Sequence, residues 1–350
     1  QNRYKNAYFV IDLILSDGSE ENPYLIENGD DFWMITEDTD AHYRLMTNVD
    51  ISNTTYTGER VIENFSGSIT TDYYIYGENT DNEQIIEFSY SLFGIVLTES
   101  NPNLFVNFSG QIENITFSVV YNYNFRENVD ASSTTNVYLG VFDTITNQET
   151  QENTVATLTN VSVSASGNAS FNSTDNFIFG SLVGRNGGNI SYTSNSVIGA
   201  NVNLQLSGSS QVYFGGLVGE NVGSILGYSE QTASESTLNS TRNNAEPIDN
   251  EVIFSVLIAG EGAMSNITID STLSNANSAV GGVIGVNSYN GINVGRLTNA
   301  YVTGSIVATN NNVGGVIGIQ NVGEKITYKV EYEPPIPSSA NQITSVGESS

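Results

Sequence analysis

The residues most able to do chemistry in this chain are few. Histidine occurs once, at His42, and cysteine not at all. A zinc site built on two histidines one helical turn apart is therefore excluded, and so is a histidine-based triad assembled far from residue 42. Thiol nucleophiles, thiolate-held metals and disulfides are excluded as well. His42 reads as a surface or cap residue. Carboxylates are more plentiful, with Asp30, Asp31, Glu37, Asp38 and Asp40 crowded near the N-terminus. Glycoside hydrolysis needs two carboxylates at about 5–5.5 Å or 6.5–9.5 Å, yet Asn and Ser replace acids over most of the later chain. A lyase wants a base beside a cation. From Val61 to Gly323 the basic residues are Arg126, Arg185, Arg242 and Arg296. Arg185 and Arg296 stand 111 residues apart, a spacing that predicts well-separated turns. The expectation is a protein without catalytic residues, with a carbohydrate-active lyase or hydrolase as the alternative.

No cofactor is expected. Calcium would need six to eight oxygens, and Asp38, Asp40 and Asp50 are the candidates to supply them. The Gly-Gly-x-Gly-x-Asp repeat of calcium-binding solenoids is absent, so these acids read as solvated. Ten Asn-x-Ser/Thr triplets occur, at Asn53, Asn64, Asn107, Asn114, Asn160, Asn168, Asn172, Asn189, Asn239 and Asn266. With 45 Asn, 41 Ser and 31 Thr, chance alone gives about nine, so these glycosylation candidates carry no excess signal. Tyr73, Tyr74 and Tyr76, then Tyr121, Tyr123 and Phe125, form alternating aromatic stripes. Exposed, such a stripe stacks on sugar or docks a partner; buried, it is core, and the buried or half-buried reading is preferred.

Charge narrows the partners. Ten basic and 38 acidic residues leave a net charge of −28. Nucleic acid needs a basic footprint, and anionic lipid surfaces repel such a chain. The apolar run from Ala7 to Leu15 is too short to span a bilayer and carries Asp12, so no membrane insertion is expected. Gln1 in first place is expected of a processed product or of a piece of a longer chain.

The elements that position these residues are set by repeats. Phe179-Gly-Ser-Leu-Val-Gly184, Phe214-Gly-Gly-Leu-Val-Gly219, Val280-Gly-Gly-Val-Ile-Gly285 and Val313-Gly-Gly-Val-Ile-Gly318 share one pattern. The structural glycines are Gly180, Gly184, Gly215, Gly216, Gly219, Gly281, Gly282, Gly285, Gly314, Gly315 and Gly318. First glycines recur at intervals of 35, 66 and 33 residues. The doubled interval predicts a hidden copy, and Phe254–Ala259 is the candidate, displaced by a polar insertion over 230–250. Weaker copies are read at Leu139-Gly-Val-Phe142 and Leu92-Phe-Gly-Ile95. A period in this range means a solenoid, a propeller or an array. Two or three short strands per period suit one turn of an all-β, right-handed parallel β-solenoid. Seven to nine turns are expected, with glycines at φ > 0 corners or at close approaches between turns. Asn186, Asn221, Asn287 and Gln320 follow the four motifs at one position. Stacked, they would form an amide ladder; the other reading makes them left-handed turn residues.

Four regions result: an N-terminal strand or linker over 1–17, a cap with the first coil over 18–60, solenoid coils over 61–330, and a Pro-containing linker or tail over 331–350. The cap is predicted to hold one short helix carrying Phe32, Trp33 and Ile35, N-capped by Asp30 or Asp31. Tyr43–Ile51 reads as a strand after it. The strand Lys5–Ser16 is a candidate for pairing with the edge of another chain.

The Gly-Gly-Leu-Val-Gly-x-Asn and Gly-Gly-Val-Ile-Gly cores resemble the GLUG-type repeats of bacterial surface proteins. Glu21–Ile26 and Ala41–Ser52 resemble the segment that opens such regions, and Phe65–Ile69, Leu92–Gly94 and Gly110–Ile115 fit more loosely. The resemblance covers about residues 18–330. It implies an extracellular, cell-surface parallel β-helix. The expected function is a rigid module serving adhesion or acting as a subunit of a filament, sheath or surface layer. Its partners would be copies of itself, adjoining modules of a longer chain, a glycan or a host surface protein. The pattern departs near Phe254, where the Gly pair is lost, and over Tyr73–Thr150, which carries only fragments.

Overall fold

The computed structural model describes residues 16–71, 73–75, 84–86, 89–126, 134–146, 155–193, 197–228, 265–289, 295–308 and 312–321. The strand read at Lys5–Ser16 falls at all but its last residue, and the tail at 331–350 entirely, outside the described residues.

Short β-branched runs separated by Gly and Asn cannot build long ladders within one hairpin. They stack on themselves instead. One turn runs Thr157–Thr159, Ser162–Asn172, Asn176–Gly180 and Val183–Asn186, and the next strand, Asn189–Ser191, lies directly on Thr157–Thr159. Each of these four strands belongs to a different parallel sheet, of eight, seven, five and seven strands in chain order. The fold is a parallel β-solenoid. At about 4.8 Å per step the eight-stranded sheet is some 34 Å tall. Outside the stack, Tyr73–Ile75 and Gln84–Ile86 pair as an antiparallel hairpin. No helix among the described residues is long and apolar enough to cross a membrane.

The core is the column of inward residues. Along the first sheet it reads Tyr43, Ile69, Ile112, Leu158, Ile190, Ile225 and Leu297, each beside the next. Along the fourth it reads Phe105, Phe142, Val183, Val218, Ile284 and Ile317. Tyr121 and Tyr123 are buried too, donating to the carbonyls of Ser181 and Pro102 at 2.5 and 2.6 Å, and Phe125 stacks on Phe171. That stripe is interior.

Several expectations change. A turn from Asn136 onward has four strands, not two or three, because each glycine motif is two strands joined by a corner. Asn176–Gly180 ends where the chain bends at Ser181-Leu182, and Val183–Asn186 begins. No turn hides in the 66-residue interval: Phe214 pairs directly with Val280, and Gly215 with Gly281. The extra chain lies between Leu226 and Ser265, wider than the 230–250 insertion, and Phe254–Ala259 falls outside the described residues. Leu92-Phe-Gly-Ile95 is not a motif copy, since it sits in the second sheet with Leu92 beside Val49 and Phe117. The equivalent of the fourth-sheet strand in that turn is Phe105–Val106. Leu139 and Phe142, by contrast, stand beside Phe179 and Val183.

The motif glycines, Gly315 excepted, sit at close approaches and none has φ > 0. A Cβ on Gly215 would lie 1.8 Å from the Val218 carbonyl oxygen and 2.6 Å from the Gly285 nitrogen. The positive-φ glycines among the described residues lie elsewhere, at Gly18, Gly94, Gly167, Gly208 and Gly304.

At the N-terminal end the helix Gly29–Trp33 lies in the connection between the first two strands of the first sheet, Tyr24–Ile26 and His42–Leu45. Its N-cap is Asn28, not Asp30 or Asp31: the Asn28 side chain accepts from the Asp30 and Asp31 amides at 2.9 and 3.1 Å. Asp31 reaches back to the Glu27 amide, and Asp30 holds the Thr55 amide and Thr54 hydroxyl. Phe32, Trp33 and Ile35 are buried, and the Trp33 indole donates to the Ile51 carbonyl at 2.9 Å while stacking on Tyr56. The segment read as one strand, Tyr43–Ile51, is two, His42–Leu45 and Val49–Asp50, since the chain turns from the first sheet to the second between them.

Candidate functional site

Stacking puts equivalent residues in columns, so a site here is a row running along the axis. Two residues flank each glycine motif. The residue before it gives Tyr138, Ile178, Tyr213 and Ala279 along the third sheet. The residue after it gives Arg185, Glu220, Val286 and Ile319 along the fourth. The glycines bring these sheets together: a Cβ on Gly219 would lie 2.8 Å from the Phe179 nitrogen of the adjoining turn. Between the two rows runs a groove of about 370 Å³, lined by Asn136, Ile178, Tyr213, Glu220, Val286, Ser288, Ile319, Gln320 and Asn321.

Its chemistry is mixed. Ile178 and Val286 are buried and supply apolar floor. Arg185 Nε donates to Glu220 Oε2 at 3.0 Å, and both side chains are largely covered. The Gln211 amide donates to the Tyr213 hydroxyl at 2.6 Å, and the Asn176 amide to Asn136 Oδ1 at 3.2 Å. Burial, with the Glu220 carboxylate second, raises both the Tyr138 and Tyr213 phenols above the ordinary value, and Arg185 partly opposes this at Tyr138. Both stay protonated at neutral pH and offer O–H donors. Asn103 anchors the start of this wall, donating to the Tyr138 carbonyl at 3.2 Å and accepting from the Gly140 amide at 3.0 Å. Among the described residues lining the groove Glu220 is the only carboxylate, whereas hydrolysis of a glycosidic bond wants two.

The four amides read from the motifs are brought together. Asn186 Nδ2 donates to Asn221 Oδ1 at 2.9 Å, Asn221 to Asn287 at 2.9 Å, and Asn287 to Gln320 Oε1 at 3.0 Å. The first three are buried. They form a ladder rather than left-handed turns. The left-handed asparagines among the described residues are Asn64, Asn107, Asn114, Asn160 and Asn299, with φ between 53° and 59°. Two of these make a second short ladder, Asn160 Nδ2 donating to Asn114 Oδ1 at 3.0 Å.

Those corners bear on the glycosylation candidates. Asn114 and Asn160 are buried with their amides engaged. Asn53, Asn64, Asn107, Asn168, Asn172 and Asn266 are exposed and Asn189 half-buried, while Asn239 lies outside the described residues. His42 stays half-buried, its Nδ1 2.7 Å from the Ser68 hydroxyl. The Asp50 carboxylate, its pKa lowered by the Ser52 hydroxyl, accepts from that residue's hydroxyl and amide. Among the described residues no three of His, Asp or Glu gather closely enough to hold a metal ion. Arg296 lies two rungs of the first sheet beyond Asn189–Ser191, the strand that follows Arg185, with no hidden coil between.

Tyr138, Tyr213, Glu220 and Asn136 went unread in the sequence. The signal was their fixed place beside the repeats, but residue type varies down each column. Comparison with family models, with curated proteins and with solved structures finds no match for this chain.

Proposed function

We propose that this chain is a non-enzymatic module of an extracellular surface protein, a stiff rod that holds contact surfaces away from a cell. One observation carries the reading. Successive turns are joined by parallel backbone ladders and again by the buried amide ladder from Asn186 to Gln320. Each turn contacts mainly its neighbours, so stretching or proteolysis must break many bonds at once. The likeness of the glycine motifs to GLUG-type repeats supports the same reading, as does the high negative charge, which opposes self-association in solution. Of the two roles, adhesion is favoured over assembly into filaments. The cap at one end covers the first turn, and a groove with convergent polar groups runs along the side.

The test is antibody labelling of intact and permeabilised source cells, followed by pulling on the folded chain. Labelling of intact cells and a high unfolding force support the reading. Labelling only after permeabilisation, or unfolding at low force, overturns it.

A further inference from the structure

We infer that the groove between the third and fourth sheets takes one strand of a neutral, extended glycan, laid along the solenoid axis. The inference deepens the adhesion reading and rests on it.

Four observations point to that ligand. Between Asn176 and Glu220 both walls are made of strands already paired with the turns above and below, so the backbone there is spent within the sheets. A peptide that binds by strand addition needs a free main-chain edge; over that stretch the walls present side chains. The polar groups that line it suit hydroxyls: the Tyr213 phenol, held by the Gln211 amide, the Asn136 and Gln320 amides, and the Glu220 carboxylate, paired with Arg185. That pair neutralises itself, which leaves no unpaired charge on the walls to recruit an ionic ligand, and a net charge of −28 repels polyanionic glycans. The floor is apolar at Ile178 and Val286, matching a sugar ring, which has an aliphatic face and a polar rim. Finally, the lining from Asn136 to Gln320 crosses five turns, about 19 Å, with mixed polar and apolar residues along it. An extended polymer can span that length; a compact ligand cannot.

The experiment titrates the full chain, by calorimetry and by NMR, with linear neutral oligosaccharides of increasing length from glucan, mannan and galactan. Oligogalacturonate and a library of extended peptides run beside them. Saturable binding to a neutral series is expected, tightening with length. Tyr213→Ala and Glu220→Ala should each weaken it about tenfold. Asn203→Ala, on the outer face of the second sheet, should not change it. If Tyr213→Ala melts early, Tyr213→Phe and Gln211→Ala remove the hydroxyl and its donor with less disturbance, and a loss of affinity is expected in both. The inference fails if no neutral series binds at millimolar concentration, if binding ignores the groove variants, or if the peptides or the anionic sugar bind more tightly. Cell-surface labelling and unfolding force do not depend on the groove, so they would still report on the rod when the glycan result is negative.

Discussion

In the early turns the inward column of the fourth sheet is aromatic, at Phe105 and Phe142, whereas from Val183 to Ile317 it is aliphatic. In the early turns Phe65, Phe105, Phe108, Phe117 and Phe142 form one packed group, with Phe105 and Phe142 stacked at 4.8 Å and Phe117 edge-on to Phe142 at 5.7 Å. In the later turns the matching fourth-sheet positions are Val183, Val218, Ile284 and Ile317. The third sheet explains the change. It starts at Asn136–Leu139, and the turns before it have no strand of that sheet among the described residues. Rings from the fourth sheet fill the space there. Once the third sheet is present it carries buried rings itself, at Phe177, Phe179 and Phe214, and the fourth-sheet positions shrink to aliphatic residues. The early turns are specified by volume and the later ones by closeness of backbone. The two should therefore break in opposite ways, one by losing atoms and the other by gaining them.

Adding atoms to a late turn should do the most damage. Gly215→Val puts a branched side chain where even a Cβ lies 1.8 Å from a carbonyl oxygen. A loss above roughly 5 kcal/mol is expected, so chemical denaturation should find no cooperative transition near the wild-type midpoint. The same motif holds its own control. A Cβ at Gly282 would meet the Gly315 carbonyl oxygen at 2.1 Å, while one at Gly315, in the last described turn, meets nothing within 4 Å. Gly282→Ala should destabilise strongly and Gly315→Ala by less than about 0.5 kcal/mol. Equal effects would mean that crowding between turns is not what the glycines relieve.

Removing atoms from an early turn comes next. Phe142→Ala should cost roughly 3–5 kcal/mol, whereas Ile284→Val, the milder trimming of a late turn, should cost about 0.5–1.5 kcal/mol. Thermal unfolding of the two variants tests the contrast directly. The amide ladder should rank third. Asn221→Ala strips a partner from both Asn186 and Asn287 and should cost about 1–3 kcal/mol, against a few tenths for the exposed Asn122→Ala.

The smallest effect sits at the boundary between the two regions. Asp143 occupies the place taken by Gly184 one turn later, and its carboxylate accepts from the Asn107 amide at 2.8 Å and from the Thr144 amide. Burial outweighs these bonds and raises its pKa. For an acid raised on folding, the ionised form is disfavoured in the native state. Asp143 therefore weakens the fold at neutral pH and stops doing so as pH falls and it protonates. Asp143→Asn should raise the neutral unfolding midpoint, and the gain should shrink towards acid pH. A gain that is constant with pH would remove ionisation as the cause.

Much of this architecture is legible from Phe179, Phe214, Val280 and Val313, because one residue per turn repeats in type as well as place. The amides at 186, 221, 287 and 320 are legible for the same reason. Other features are hidden for physical reasons. A glycine-flanked aliphatic run reads as one strand, since nothing in its composition marks the bend at Ser181-Leu182. A doubled interval reads equally as a lost turn or as a long loop, and only the pairing of Phe214 with Val280 separates them. The left-handed corners at Asn114 and Asn160 are disguised as glycosylation triplets. The groove is the least legible part. Tyr138, Ile178 and Tyr213 share a column without sharing a chemistry, so no pattern announces them.

Direct pairing across the 66-residue interval has a practical consequence. The chain leaves the first sheet after Leu226 and rejoins the second at Ser265, with neighbouring rungs in register on every side. Polypeptide length and rod length are thereby uncoupled at that corner. A fluorescent domain or an affinity tag spliced in there would add mass without adding height, which makes it the natural handle for engineering this molecule.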